Sequence, residues 1–262
     1  MNILLYLGVI GIALTAYRLK KLTKLGACAS IVVGIAICYG FGLSGLLLLA
    51  AFFISSSALS SIFSSKDMDQ MTLKGNQRDE VQVLANGGVA AAIAVLYAID
   101  PSDIYQVMFI ASLAAANSDT WASEIGKLSK SLPFHVLSFK RVSTGTSGAV
   151  TLLGTLAAFA GSTLIASGTV LFSWSSIEWQ FPLICAIIVA GFVGNLTDTV
   201  LGATIQVSYK CDICDQTTEK LIHCGQNTVH KDGLTWVTND TVNALCTVMG
   251  AITGAGFAYM IL

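Results

Sequence analysis

Three aspartates stand in matching contexts inside otherwise apolar stretches. They are Asp119 in Asn117-Ser118-Asp119-Thr120, Asp198 in Thr197-Asp198-Thr199 and Asp240 in Asn239-Asp240-Thr241. Each precedes a threonine and has an asparagine nearby, drawn from Asn117, Asn195, Asn239 and Asn243. Ionisable groups inside lipid-spanning segments are costly, so their presence points to function. Carboxylate and amide oxygens gathered near one membrane face suit Mg²⁺, which prefers oxygen ligands and completes its shell with substrate phosphates. The structural alternatives are helix capping by Asp240 and an interhelical hydrogen bond from Asp119. Ser123, four residues after Asp119, shares its helix face, whereas Glu124 at five residues is turned away.

A second group of residues could handle anions. Lys140 and Arg141 precede Ser143-Thr144-Gly145-Thr146-Ser147-Gly148, and a helix is expected to open at this turn. Backbone N–H groups at a helix N-terminus attract phosphate, and the helix dipole adds to the attraction. Lys140, Arg141 and Lys127 would add positive charge; positive anchors beside a plain turn are the structural alternative. Asn76-Gln77-Arg78-Asp79, then Gln82, Asn86 and Gly87-Gly88, form another polar stretch; Gln82 and Asn86, at i and i+4, fall on one helix face and could extend the site, the alternative being a solvated loop followed by a cap.

Cys211-x2-Cys214 is followed by His223, Cys224 and His230 in a polar stretch, which could supply a structural zinc site. A metal-free loop is the alternative. The remaining cysteines, Cys28, Cys38, Cys185 and Cys246, lie in apolar segments and read as packing residues.

The elements that must hold these groups follow from the composition. Of 262 residues 54% are hydrophobic and 11% charged, and the mean hydropathy is +0.73. Soluble domains carry about 25% charged residues, so this chain lacks the polar coat of an ordinary cytosolic enzyme. A net charge of −1 argues against nucleic-acid binding. The expected class is an all-α polytopic membrane bundle in one domain, 1–262. About eight helices are expected, at 2–17, 26–40, 43–63, 82–99, 104–126, 147–172, 181–206 and 239–261, each approaching the roughly 20 residues that a crossing needs. The second and third come from one apolar stretch divided at Gly40-Phe41-Gly42, a hairpin or a single bent helix. All fourteen Lys and Arg then fall in alternate loops, near 18–25, 64–81, 127–146 and 207–238. The other loops hold only Asp100, Asp103 and Glu178. The positive-inside rule makes the basic loops cytoplasmic and puts both termini outside. The bilayer is the plasma membrane if the source is prokaryotic.

The motifs Asn117–Gly126 (NSDTWASEIG), Lys140 with Gly145–Val150 (GTSGAV), Gly194–Gln206 (GNLTDTVLGATIQ), the Cys211-x2-Cys214 loop, Trp236–Asn243 (WVTNDTVN) and Gln82–Gly87 (QVLANG) together resemble one integral-membrane family. That family was long labelled a domain of unknown function. It includes transmembrane protein 19 of animals and the phytyl-phosphate kinase of plants and cyanobacteria. The resemblance covers the chain from about residue 70 onward. Asp119, Ala122, Ser123, Gly126 and Lys127 are also similar, with one residue's difference in spacing, to a segment of polyprenol kinases and phosphatidate cytidylyltransferases.

The resemblance implies transfer of a phosphoryl group from a nucleoside triphosphate, CTP or another, to an isoprenyl monophosphate at the cytoplasmic face. Asp119, Asp198 and Asp240 would hold Mg²⁺, assisted by Asn117, Asn195, Asn239 and Asn243. Lys140, Arg141 and the Gly145–Gly148 turn, with Ser123 and Lys127 nearby, would stabilise phosphate charge. A transporter or flippase of a phosphorylated lipid is the alternative.

Overall fold

The computed structural model describes residues 3–63, 77–172 and 181–262. Seven helices are present among them: α1 (Ile3–Arg18), α2 (Lys24–Phe63), α3 (Glu80–Ile99), α4 (Asp103–Gly126), α5 (Leu152–Leu171), α6 (Phe181–Thr204) and α7 (Asn239–Ile261). Five of them, α2, α3, α5, α6 and α7, are long and apolar enough to cross a membrane. At 16 residues α1 is shorter. The expected Lys66, Lys74, Asn76 and Glu178 lie outside the described residues.

Helix α4 is the hub, touching α2, α3, α5, α6 and α7. Every residue from Phe109 to Ser118 is buried. A helix enclosed by other helices has no lipid face to satisfy, so it can carry Asn117, Ser118 and Asp119 where a peripheral span could not. Close approach depends on small side chains at the contacts. Gly194 of α6 lies at one such contact: a Cβ there would lie 2.5 Å from the Ala115 Cβ and 2.8 Å from the Cys246 carbonyl oxygen. Polar residues pin the same contacts, with Ser118 Oγ donating to the Ala158 carbonyl at 2.9 Å and Ser162 Oγ to that of Ile188 at 2.8 Å.

The stretches expected as 26–40 and 43–63 are the two limbs of α2, divided at Gly42, the one position in it that departs from helical geometry (φ 57°, ψ −139°). This is left-handed φ, which glycine adopts without a Cβ clash. The chain reverses there. At the start of the first limb, Thr23 N–H donates to the Arg78 carbonyl at 3.0 Å; near the break, Phe41 stacks on Tyr97 with ring centroids 4.5 Å apart. The second limb returns, and Ser60 Oγ donates to Glu124 Oε1 at 3.0 Å near the end from which the first limb set out. Lys21 Nζ donates to Ser61 Oγ at that same end.

The loops are not wholly irregular, so the all-α expectation becomes mostly helical. Strands β1 (Phe134–His135) and β2 (Ala149–Val150) pair antiparallel in the loop between α4 and α5. The loop between α6 and α7 holds β3 (Ser208–Lys210), β4 (Thr217–Thr218), β5 (Ile222–His223), β6 (Gln226–Asn227) and β7 (Val229–Asp232). These form a three-stranded sheet in the order β4-β3-β7 and a separate β5–β6 hairpin. The helix expected to open at residue 147 instead begins at Leu152, capped by Thr151 Oγ1, which accepts from Gly154 N–H at 3.0 Å. Gly145 (φ 88°) and Gly148 (φ 73°) are in left-handed geometry that a right-handed helix cannot include.

Gly194→Val should lower stability by about 1–3 kcal/mol, because the added methyls have nowhere to go. Gly11→Val, in open space on α1, should be near neutral. Thermal unfolding in detergent reads the difference.

Candidate active site

One cavity of about 610 Å³ opens where α4, α6 and α7 approach the polar loops. Asp119 of α4, Asp198 of α6 and Asp240 of α7 all line it, as do Ser123, Asn195, Asn239 and Asn243. Asn195 Nδ2 donates to Asp119 Oδ1 at 3.2 Å, tying α6 to α4 at the cavity wall. Asp198 Oδ2 is buried without a hydrogen-bond partner among the described residues. A carboxylate oxygen in that state is costly unless a cation or donor meets it. Asp240 is buried at 9% exposure and sits in the first turn of α7 rather than at its N-cap, which is Thr238. Its negative charge there suits the helix dipole.

Asn117 takes a different position. It is fully buried behind the cavity, where Nδ2 donates to the Gly161 carbonyl at 2.7 Å and Oδ1 accepts from Ser55 and Ser56 at 3.1 and 3.3 Å. Its side chain therefore joins α4 to α5 and to the second limb of α2.

Lys127, Gly145, Thr146, Ser147 and Gly148 line the cavity, but Lys140 and Arg141 are not among its lining residues. Lys140 is exposed, and Arg141 Nη1 donates to the Leu132 carbonyl at 2.6 Å with the guanidinium over the Phe134 ring. The Gly-rich turn is separated from α5 by β2, and part of its backbone is already engaged: Thr146 N–H donates to Ser143 and Ala149 N–H to Thr146. Gln82 and Asn86 also line the cavity. Gln82 closes a capping box with Asp79, the N-cap of α3.

Four further charged residues, Lys21, Arg78, Glu124 and Glu219, line the cavity. Glu124, expected to turn away from Asp119, lines it because the cavity wraps around the end of α4; its carboxylate accepts from Ser60 and pairs with Lys127 at 3.2 Å. Arg78 enters from the segment before α3. Glu219 enters from the loop between α6 and α7, accepting from Gln206 Nε2 at 2.6 Å. Burial pushes the Glu219 carboxyl above its ordinary range, as does the charge of Asp240, while hydrogen bonds from Gln206 and Ser147 partly offset this. Nothing in the sequence distinguishes Glu219, because its loop also carries Asp212, Asp215 and Asp232, whereas Arg78 stands in the polar stretch Asn76–Asp79.

The same loop gathers a cluster of potential metal ligands. The ligand atoms of Cys211, Cys214, His223 and Cys224 all lie within 4.8 Å of one another. The β3–β4 turn brings up Cys211 and Cys214, with Asp215 at φ 60° closing it. The β5–β6 hairpin brings up His223 and Cys224 through a two-residue turn in which Cys224 (φ 50°) and Gly225 (φ 76°) both have positive φ. Backbone N–H of Cys214, then the His223 ring, bring the Cys211 thiol down to about 6, whereas contact with Cys214 pushes Cys224 up to about 11. Three sulfurs and one imidazole in this arrangement could bind a metal such as zinc. His230 stands apart from the set: Nε2 meets the Gly233 carbonyl at 3.0 Å and the ring packs edge-on against Tyr209. Purified protein should carry about one zinc ion per chain by elemental analysis, as a closed four-ligand site implies. Cys214→Ser should lose it and His230→Ala should retain it.

Comparison with known proteins places this architecture. The chain is 34% identical over 226 residues to Protein PGR of Arabidopsis thaliana, covering 77% of this chain and 78% of that one. It is 31% identical over 259 residues to a membrane protein of Methanocaldococcus jannaschii, covering 95% and 92%. It is 26% identical over 239 residues to the chloroplastic Protein VTE6 of Arabidopsis thaliana, covering 88% and 63%. No solved structure matches it. The model of the integral membrane protein family DUF92 matches residues 7–251, and this multi-pass membrane protein belongs to that family.

Proposed function

We propose that this chain is a membrane-embedded phosphotransferase that moves the terminal phosphoryl group of a nucleoside triphosphate onto an isoprenyl monophosphate. The observation that carries the reading is Asp198 Oδ2, unpartnered among the described residues and buried in a cavity that also presents Asp119, Asp240 and Glu219. Such a set fits a divalent cation of the oxygen-preferring kind, with Asp119, Asp198 and Asp240 as the holding residues. When bound, Mg²⁺ neutralises phosphate charge and aligns donor and acceptor. Similarity to the chloroplastic plant relative agrees with the kinase activity implied by the sequence motifs.

In the reaction an oxygen of the acceptor phosphate attacks the terminal phosphorus. The bond from that phosphorus to its bridging oxygen breaks, and the nucleoside diphosphate leaves with the electron pair. A phosphomonoester is already ionised near neutral pH, so no strong general base is needed, and none of the three histidines is among the cavity-lining residues. Lys127, Thr146 and Ser147 line the cavity and suit the donor phosphates. That role replaces the one expected of Lys140 and Arg141. The cavity lies at the end of the bundle that carries Lys21, Arg78 and Lys127, which the positive-inside rule makes cytoplasmic, where nucleotide is available. Because α1 and α7 both have their far ends opposite this cavity, the chain termini fall outside on this orientation.

The test uses purified protein in detergent with labelled nucleotide triphosphates and isoprenyl monophosphates. Diphosphate product is expected only with Mg²⁺, reduced by about 100-fold or more in Asp119→Ala and in Asp198→Asn. No product from the wild type would overturn the reading; leaflet-to-leaflet movement of the lipid without product would support a transporter instead.

A further inference from the structure

Arg78 is held more firmly than a loop cation needs to be. Its N–H donates to the Lys21 carbonyl at 2.9 Å, and its own carbonyl accepts from Thr23 N–H at 3.0 Å, so its backbone is fixed against the start of α2. Its guanidinium carbon lies 5.5 Å from the Phe52 ring centroid and 5.6 Å from that of Phe53. Burial brings the guanidinium down to about 10 and the charge of Glu124 opposes this, so it remains a full cation at neutral pH. The ion pairs among the described residues are Lys127–Glu124, Lys210–Asp215 and Lys231–Asp232, and Arg78 is in none of them. Glu124, whose charge acts on it, is already engaged by Ser60 and Lys127. Aromatic contact uses the face of a guanidinium and leaves its in-plane N–H edges for a planar or tetrahedral anion.

The surroundings say which anion. The carboxylates come from α4, α6, α7 and the metal-binding loop, whereas Arg78 meets the second limb of α2. Phe63 of that limb lines the cavity beside Ser57 and Ser60, while Ile54 and Ile62 of the same limb are 66% and 69% exposed. An anion received at this edge therefore sits next to an apolar helix surface, and a dianionic head on a hydrocarbon tail fits both.

We propose that Arg78 is the docking residue for the phosphomonoester of the lipid acceptor, with the tail along the second limb of α2, and that it sets specificity for a phosphorylated over a free lipid alcohol. This rests on the phosphotransferase reading for its consequence, but the binding itself is separable from catalysis. Because Arg78 is in none of those ion pairs among the described residues, a bound phosphate supplies a countercharge; lysine cannot reproduce the planar fork that gripping two phosphate oxygens requires.

The experiment measures binding to full-length protein in detergent, without nucleotide, by ligand-induced thermal stabilisation. The probes are phytyl monophosphate, phytol and inorganic phosphate. Wild type should bind phytyl monophosphate, Arg78→Gln should bind it about 30-fold or more weakly, and Arg78→Lys should fall between, as expected for loss of a charge-assisted contact. Phytol and millimolar inorganic phosphate should give no Arg78-dependent shift. Equal affinity of wild type and Arg78→Gln for phytyl monophosphate would overturn the proposal, and an equally strong Arg78-dependent shift with inorganic phosphate would overturn the lipid as its source. If Arg78→Gln does not fold, Arg78→Lys decides: unchanged affinity for phytyl monophosphate counts against the proposal and weakened affinity for it. Arg78-dependent binding by a wild type that transfers no phosphoryl group would sink the kinase reading and leave this one standing.

Discussion

A carboxylate in a lipid-spanning helix must be walled off from hydrocarbon, and the rest of this molecule is arranged around that requirement. Asp119 sits on α4, which five other helices enclose. Enclosure demands that backbones come close, which is why Ala111, Ala114 and Ala115 of α4 meet glycines of α6 and α7. Those small residues and the buried acid are two sides of one constraint: large side chains on the hub would open gaps around a charge that only close packing can isolate.

The same constraint divides the cavity. Its acidic wall draws one group from each of α4, α6 and α7, so no single helix carries the whole repulsion among Asp119, Asp198 and Asp240. The fourth acid, Glu219, is held by Gln206 and is supplied by a loop rather than by a helix. That loop has little hydrophobic core of its own, with a three-stranded sheet and a hairpin of two-residue strands. The Cys211, Cys214, His223 and Cys224 set, if metal-loaded, joins the sheet to the hairpin and so braces the segment that presents Glu219. With the proposed cation at the acidic wall, Arg78 beside the second limb of α2 gives the cavity a second positive pole, which suits a substrate pair in which both partners carry phosphate.

Local signals in the sequence were readable because they depend on neighbours along the chain. The apolar runs, the glycine break near Gly42, the Asp-Thr repeats and the Cys211-x2-Cys214 knuckle are each a pattern of residues close together in the chain. Spacing failed where the site wraps around an element. Glu124, five residues from Asp119, seemed turned away, yet both line one cavity because it curves around the end of α4. Lys140 and Arg141 beside a Gly-rich turn looked like an anion site, but left-handed glycines and the β1–β2 pairing put a strand between that turn and α5. His230 matched a ligand by type, while the register of β3 against β7 sets its ring on Tyr209 instead.

By itself the sequence determined that this is a membrane bundle with basic loops gathered on alternate connections and with acids of matching context, because hydrophobicity, charge and motif spacing are properties of the chain. Only the tertiary structure decided which acids share a cavity, that Asn117 is a strut behind it, and that Arg78 and Glu219 belong to its wall. The physical reason is separation: Arg78 is brought to the second limb of α2 by backbone pairing with Lys21 and Thr23, more than fifty residues away in sequence. Contacts over such distances leave no periodicity to read.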